Sequence, residues 1–259
     1  MRCRPTSPTT TSCAPSPPGC ARPWTRWRCA VSPDVSALDL PEPPERLTII
    51  TGTDTGVGKT VATAALTAGC LQRGHSVAVC KPAQTGVDAG APGDLAEIVR
   101  LTGLSPAHTH EGVRLTEPLA PTTAGRRAGV SLPPVGEHAH HIARLAATHD
   151  RVLIEGAGGV LVGLDDAGAT LLDLADALVG LGCHPDFVVV TRAGLGTLNH
   201  TALTCAAIRA RGHPVSGLII GAMPARPDLA ERCNLDDLPA AAGCPILAVL
   251  PAGLGTRPA

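Results

Sequence analysis

The chain is 259 residues long, sets 21 basic against 22 acidic side chains, and has only Trp24, Trp27 and Phe187 as large aromatic residues. A net charge of −1 offers no field to gather nucleic acid or an anionic membrane, and no apolar run reaches the roughly 18 residues that a spanning helix needs. The length suits one large α/β domain or two small ones around an aliphatic core, and the shortage of rings argues against a site that stacks flat ligands between aromatic side chains.

Residues 1–45 stand apart. The stretch RPTSPTTTSCAPSPPGCARP is rich in Pro, Ser and Thr, and no acid precedes Asp34. It lacks the apolar stretch of a signal peptide, although an Arg-rich, acid-poor start also suits a transit peptide. The expectation is a disordered tail or a start assigned too far upstream, leaving 46–259 as the folded domain. From Arg46 the pattern turns regular. LTIIT (47–51) is a short apolar run before a Gly-rich turn and reads as a buried strand; a helix follows from Lys59 to Arg73. SVAVCK (76–81) is a second strand, 94–103 a helix with a Gly stop, and 133–149 another helix. RVLIEGAGG (151–159) reads as strand then glycine loop, ATLLDLADALVGLG as a helix, DFVVVTRAGLG as strand and loop, and TLNHTALTCAAIRARG as a helix. VSGLIIGA is a strand, 228–242 a helix, and PILAVLPAG a last strand. Apolar strands alternating with helices predict an α/β fold with a parallel sheet covered by helices on both faces, of the P-loop NTPase type. Ten cysteines with no CxxC pair do not make a disulfide or zinc framework; the later six read as small core or surface residues of a cytosolic protein.

In such sheets ligands gather at the carboxyl ends of the strands. GTDTGVGKT, KPAQTG, EGAGG, TRAGLGTLNH and LPAGLG all fall just after predicted strands. The first, 52–60, nearly matches G-x-x-x-x-G-K-[ST], but its first glycine sits at Gly52, one place early. Gly56, Val57 and Gly58 turn backbone N–H groups inward at a helix start, which suits phosphate. Lys59 reaches the β- and γ-phosphates, and the Thr60 hydroxyl suits Mg²⁺. Lys81 is either the first solvated residue after a strand or a second cation beside a transferring phosphoryl group. Thr85, in the next turn, can donate to an anionic oxygen. Glu155 stands where a strand-end carboxylate meets a nucleotide's Mg²⁺, and the glycines after it leave room for phosphate. Asp94 is either an N-cap or a second carboxylate on Mg²⁺. Asn199 and His200 either cap a helix or bind an anion at its N-terminus. The HAHH run (138–141) lacks an acid or Cys companion for a metal.

These motifs resemble the dethiobiotin synthetase family. That family carries GTDTxVGKT with the same displaced glycine, KP-x-x-[ST]-G (here KPAQTG), VEGAGG (here IEGAGG) and LG-x-x-NH (here LGTLNH), in this order and spacing, across about 46–255. The resemblance implies a cytoplasmic homodimer of single P-loop domains that converts 7,8-diaminopelargonate, CO₂ and ATP, with Mg²⁺, to dethiobiotin, ADP and phosphate. It implies Lys59 and Lys81 as catalytic residues, and Thr60, Asp94 and Glu155 on the metal. Thr85 and Asn199 are implied on the substrate, Asn199 across the dimer interface. The nucleotide site implied adds Val61, Gly156, Ala157 and Gly158, with the base near Gly221, Ala222 and the loop Pro251, Ala252, Gly253. The family's frequent adenine-reading Asn is Gly221 here, so other nucleoside triphosphates are expected to serve. Family members also usually run on through a last helix beyond the LPAGLG loop. Two relatives of the fold fit less well. Partition ATPases need a lysine where Asp54 stands, and amidating synthetases need a glutaminase domain that this length cannot hold.

Overall fold

The computed structural model describes residues 42, 43 and 45–256. Every position of β1 (Leu47–Gly52) and β5 (Asp186–Thr191) is buried, which is why apolar residues stand side by side at 49–50 and 187–190 rather than alternating with exposed polar ones. The remaining strands are β2 (Val77–Thr85), β3 (Thr109–Leu115), β4 (Arg151–Gly159), β6 (Val215–Met223) and β7 (Ile246–Pro251). They form one sheet in the order β3-β2-β4-β1-β5-β6-β7, parallel at every pairing. The helices are α1 (Lys59–Gln72), α2 (Asp94–Thr102), α3 (Pro121–Ala128), α4 (Val135–Thr148), α5 (Leu171–Gly180), α6 (Thr197–Ala210) and α7 (Leu229–Ala242).

Alternate strand residues feed two aliphatic layers. Ile49, Ile154 and Val189 pack against α4, α5, α6 and α7. Ile50, Leu153, Val188 and Val190 pack against α1 and α2. The sheet is thus covered on both faces, as expected. Packed against both the sheet and α2, α1 buries Ala62 through Cys70 without a break, so its sequence shows little amphipathic period. None of the described helices is long and apolar enough to cross a membrane.

Three features differ from the sequence expectations. β3 and α3 were not expected. β3 is an edge strand, paired on one side only and mostly half-buried, so it carries polar residues that read as loop. Several strands also run longer than their apolar cores. β2 continues through Pro82 to Thr85 by pairing with β3 as far as Thr85↔Leu115, beyond Cys80↔Ile154 where its pairing with β4 ends. Finally, the expectation for residues 1–45 falls almost wholly outside the described residues, but Glu42 and Pro43 belong with the domain. Pro43 is buried, and the Glu42 carboxylate pairs with His75 at 2.7 Å, Arg73 at 3.5 Å and Arg151.

Candidate active site

β1 ends at the centre of the sheet, between β4 and β5, and feeds the phosphate-loop sequence into α1. The displaced glycine has a steric cause. A Cβ on Gly52 would lie 2.6 Å from the Asp54 carbonyl oxygen and 3.0 Å from Lys59 Nζ, so the loop folds back directly over this position. Gly56 and Gly58 supply the positive φ angles of the turn, 74° and 95°. Thr53 N–H donates to the Val190 carbonyl at 2.9 Å, and Lys59 Nζ donates to the Asp54 carbonyl at 3.0 Å. Val57 is buried in the α1-side layer and Val61 packs against it, which leaves their backbone as the part available to a nucleotide.

Lys81, Asp94, Glu155 and Thr60 meet in one group. Lys81 Nζ lies 2.8 Å from Glu155 Oε1 and 2.5 Å from Asp94 Oδ2. The Thr60 hydroxyl donates to the same Glu155 Oε1 at 3.0 Å. Lys81 and Glu155 are 3% and 1% exposed, so Lys81 is not a solvated strand end. Nor does Asp94 cap α2: the N-cap is Gly93, and the Asp94 carboxylate reaches back to Lys81. Glu155 Oε2 is buried with no hydrogen-bond partner. Burial lowers the Lys59 pKa, partly offset by Glu155 and lowered further by Lys81. Burial would lower Lys81 too, but Glu155 and Asp94 outweigh it and raise the pKa. Lys81 therefore stays an ammonium ion in a dry site.

The other expected positions line the same edge. Gly156 leaves no room for a side chain, since a Cβ would meet Leu171 Cδ1 at 2.4 Å. Ala157 packs on the α4–α7 layer, and Gly158 lies against Thr55. Thr85 closes β2 half-buried. α6 starts at Gly196 with no side-chain cap, so Asn199 and His200 do not cap it. Asn199 is exposed, and His200 Nδ1 lies 3.0 Å from Arg192 Nη2. The start of α6 is anchored from beneath by Thr197 and Thr201, whose hydroxyls lie 2.6 and 2.8 Å from that of Thr191. Gly221 lies inside β6, not after it: a Cβ there would meet the Val57 carbonyl oxygen at 2.0 Å. Ala222 and Ala252 are exposed beside it, with Ala252 N–H donating to the Met223 carbonyl at 2.7 Å. Pro251 is half-buried and Gly253 exposed at the same turn. The His138–His141 run makes no metal cluster among the described residues.

Sequence reasoning missed three supporting side chains. Gln84 lies inside a quoted motif yet carried no role. Arg114 lies on the unforeseen β3, so nothing local marked it. Asn234 on α7 donates to the Ala193 and Gly194 carbonyls at 2.7 and 3.2 Å, holding the loop before α6; a lone Asn in a helix gives no sign of such a contact.

A family model described as an AAA domain matches residues 46–256. The ATP-dependent dethiobiotin synthetase BioD of Rhodococcus jostii (strain RHA1) is 53% identical over 207 residues, covering 80% of this chain and 87% of that protein. The protein of the same name from Streptomyces avermitilis is 54% identical over 211 residues, covering 81% and 85%. That from Mycobacteroides abscessus is 47% identical over 205 residues, covering 79% and 86%. With a seven-stranded parallel sheet, a phosphate loop at its centre and this identity along most of its length, the chain belongs to the family of ATP-dependent dethiobiotin synthetases, ligases of biotin biosynthesis.

Proposed function

We propose that the chain adds CO₂ to 7,8-diaminopelargonate and closes the ureido ring of dethiobiotin, converting ATP to ADP and phosphate. The observation that carries this reading is a second buried lysine, Lys81, set among Thr60, Asp94 and Glu155 beside the phosphate loop. A simple ATPase has no need of it, whereas a reaction that joins two anions does.

One substrate amine takes up CO₂ and loses a proton to become a carbamate. A carbamate oxygen attacks the γ-phosphorus, ADP leaves, and a carbamic–phosphoric anhydride results. The second amine attacks the anhydride's carbonyl carbon and gives up a proton as the ring closes and phosphate is expelled. Lys59 and Lys81 neutralise the carbamate and the γ-phosphate, which would otherwise repel each other as they approach. Thr85 holds the carbamate or the diamine. Asn199 and the N–H groups of the first turn of α6 bind the substrate carboxylate.

Mg²⁺ fits the residues present. A hydroxyl and two carboxylates are the oxygen donors that a hard cation takes, and the partnerless Glu155 Oε2 is one such donor. Thr60, Asp94 and Glu155 would hold the ion, which when bound neutralises charge on the β- and γ-phosphate oxygens. Asn199 would act across a homodimer interface. Leu195 and Leu203, four residues to either side of it, are 85% and 61% exposed and support an apolar contact with a second copy. A cytoplasmic location goes with this reading, supported by six free cysteines among the described residues.

The test is phosphate release and dethiobiotin formation with ATP, Mg²⁺ and bicarbonate, with and without the diamine. Equimolar products that both require the diamine are expected. Phosphate release indifferent to the diamine, or no dethiobiotin, would instead fit a nucleotide-binding regulator and overturn the reading.

A further inference from the structure

Gln84 is 2% exposed and spans from β2 to the start of α2. Its Oε1 accepts the Asp94 backbone N–H at 2.9 Å, and its Nε2 donates to the Thr85 carbonyl at 3.2 Å. A helix start leaves N–H groups without partners, and α2 has no cap of its own. Its N-cap is Gly93, which makes no side-chain hydrogen bond. A Cβ on Gly93 would lie 2.8 Å from Gln84 Oε1 and 3.2 Å from Arg114 Nη2. The small residue thus makes room for a cap arriving from another strand.

Arg114 secures the loop before it. Its Nη1 donates to the Ala91 and Asp88 carbonyls at 2.6 and 3.2 Å. Glu111 fixes the guanidinium in turn through two bonds of 2.7 and 2.8 Å. The loop between β2 and α2 is therefore tied down at Asp88, Ala91 and Asp94. What this bracing orients is the Asp94 carboxylate on Lys81.

We propose that Gln84 is a positioning residue: it caps α2 from β2 and so sets the Asp94 carboxylate against Lys81 and the metal position. The inference rests on the reading of Asp94 as a metal ligand, and supports placed one step behind a ligand typically matter by about 10–100-fold in metal affinity or activity.

Three variants separate capping from mere packing. Gln84→Ala removes the cap. Gly93→Ser in the wild-type background drives its Cβ into Gln84. The double variant Gln84→Ala/Gly93→Ser opens that space and offers a serine N-cap, whose hydroxyl would accept from the Leu95 or Ala96 N–H. Two readouts are taken: hydrogen exchange of the Asp94 amide in the metal-free protein, and the Mg²⁺ concentration for half-maximal dethiobiotin formation.

Gln84→Ala is expected to deprotect the Asp94 amide and raise the half-saturating Mg²⁺ by about tenfold, with the KM for the diamine nearly unchanged. The double variant is expected to recover the Mg²⁺ dependence, although each single change is harmful, while the Asp94 amide stays deprotected, because a serine N-cap serves the Leu95 or Ala96 N–H. Wild-type exchange and Mg²⁺ dependence in Gln84→Ala, or a double variant whose Mg²⁺ dependence is no better than that of Gln84→Ala, overturns the proposal. If the wild-type chain makes no dethiobiotin, the functional reading falls, and the amide exchange alone decides whether Gln84 caps α2.

Discussion

Removing Lys81 should destabilise the metal-free protein and disable it, and the two effects should part company when Mg²⁺ is added. Lys81→Ala leaves Glu155, 1% exposed, and Asp94 facing each other without the ammonium ion between them. Taking one partner from a buried ion pair costs about 3–5 kcal/mol. The lower end applies here, because Asp94 is 35% exposed and Thr60 still donates to Glu155. For a domain of this size ~1 kcal/mol shifts Tm by about 2–4 °C, so a drop of about 6–12 °C is expected. Mg²⁺ then meets two carboxylates with no competing lysine. At a hundred times its Kd, a ligand specific to the folded state contributes ~2.7 kcal/mol, enough to restore most of the loss. The wild type should gain less, since there the ion must displace the Lys81 contacts. Turnover is a separate matter: it should fall by at least ~100-fold and stay low in saturating Mg²⁺, because the missing charge faces the transferring group. Thermal melts with and without Mg²⁺, run beside the dethiobiotin assay, check both halves. An unchanged metal-free Tm would refute the ion-pair reasoning, and near-normal turnover would refute the catalytic assignment.

Lys59→Ala should also lower turnover by at least ~100-fold, while its loss to stability stays smaller than that of Lys81→Ala, because among the described residues Lys59 bonds the Asp54 carbonyl and holds no buried carboxylate as Lys81 does; a steady-state assay with normal kcat would sink the assignment. Base discrimination should be weak, since Gly221 is packed under Val57 and presents no side chain. At least one of CTP, GTP and UTP should support kcat/KM within about tenfold of ATP, ~1.4 kcal/mol, and a thousandfold preference for ATP would reveal a base-reading residue not named here. Asp186, far from the site, should show a pH signature. Burial raises its pKa above 3.8, against the opposing hydrogen bonds from Ser216 and Thr48. A raised carboxyl contributes stability below its unfolded pKa and loses it as pH rises through the folded value. Asp186→Asn should therefore gain in Tm relative to wild type as pH climbs from about 4 to about 7, and a difference that stays flat with pH would contradict this.

The sequence by itself determined the class of fold and the edge that carries chemistry. Runs such as LTIIT and DFVVVT set apolar residues side by side instead of alternating them with exposed polar ones, as strands buried on both faces do. Glycines and a lysine between β1 and α1 mark the phosphate loop, because backbone turns and helix starts are local matters. The order of the motifs was equally legible, and with it the family. What the tertiary structure decided is which distant residues meet. Lys81 and Glu155 stand 74 positions apart and touch because β2 lies beside β4. Gly221 must be a glycine because Val57 packs on it. β3 escaped notice because an edge strand is half-solvated and needs no apolar pattern, and Arg114 went with it. Gln84 reads as one more polar residue until the fold sets α2, lacking its own cap, above it. Periodicity records how a segment faces its own layer, whereas the pairing of side chains from separate segments follows from strand order and helix placement, which no local spacing encodes.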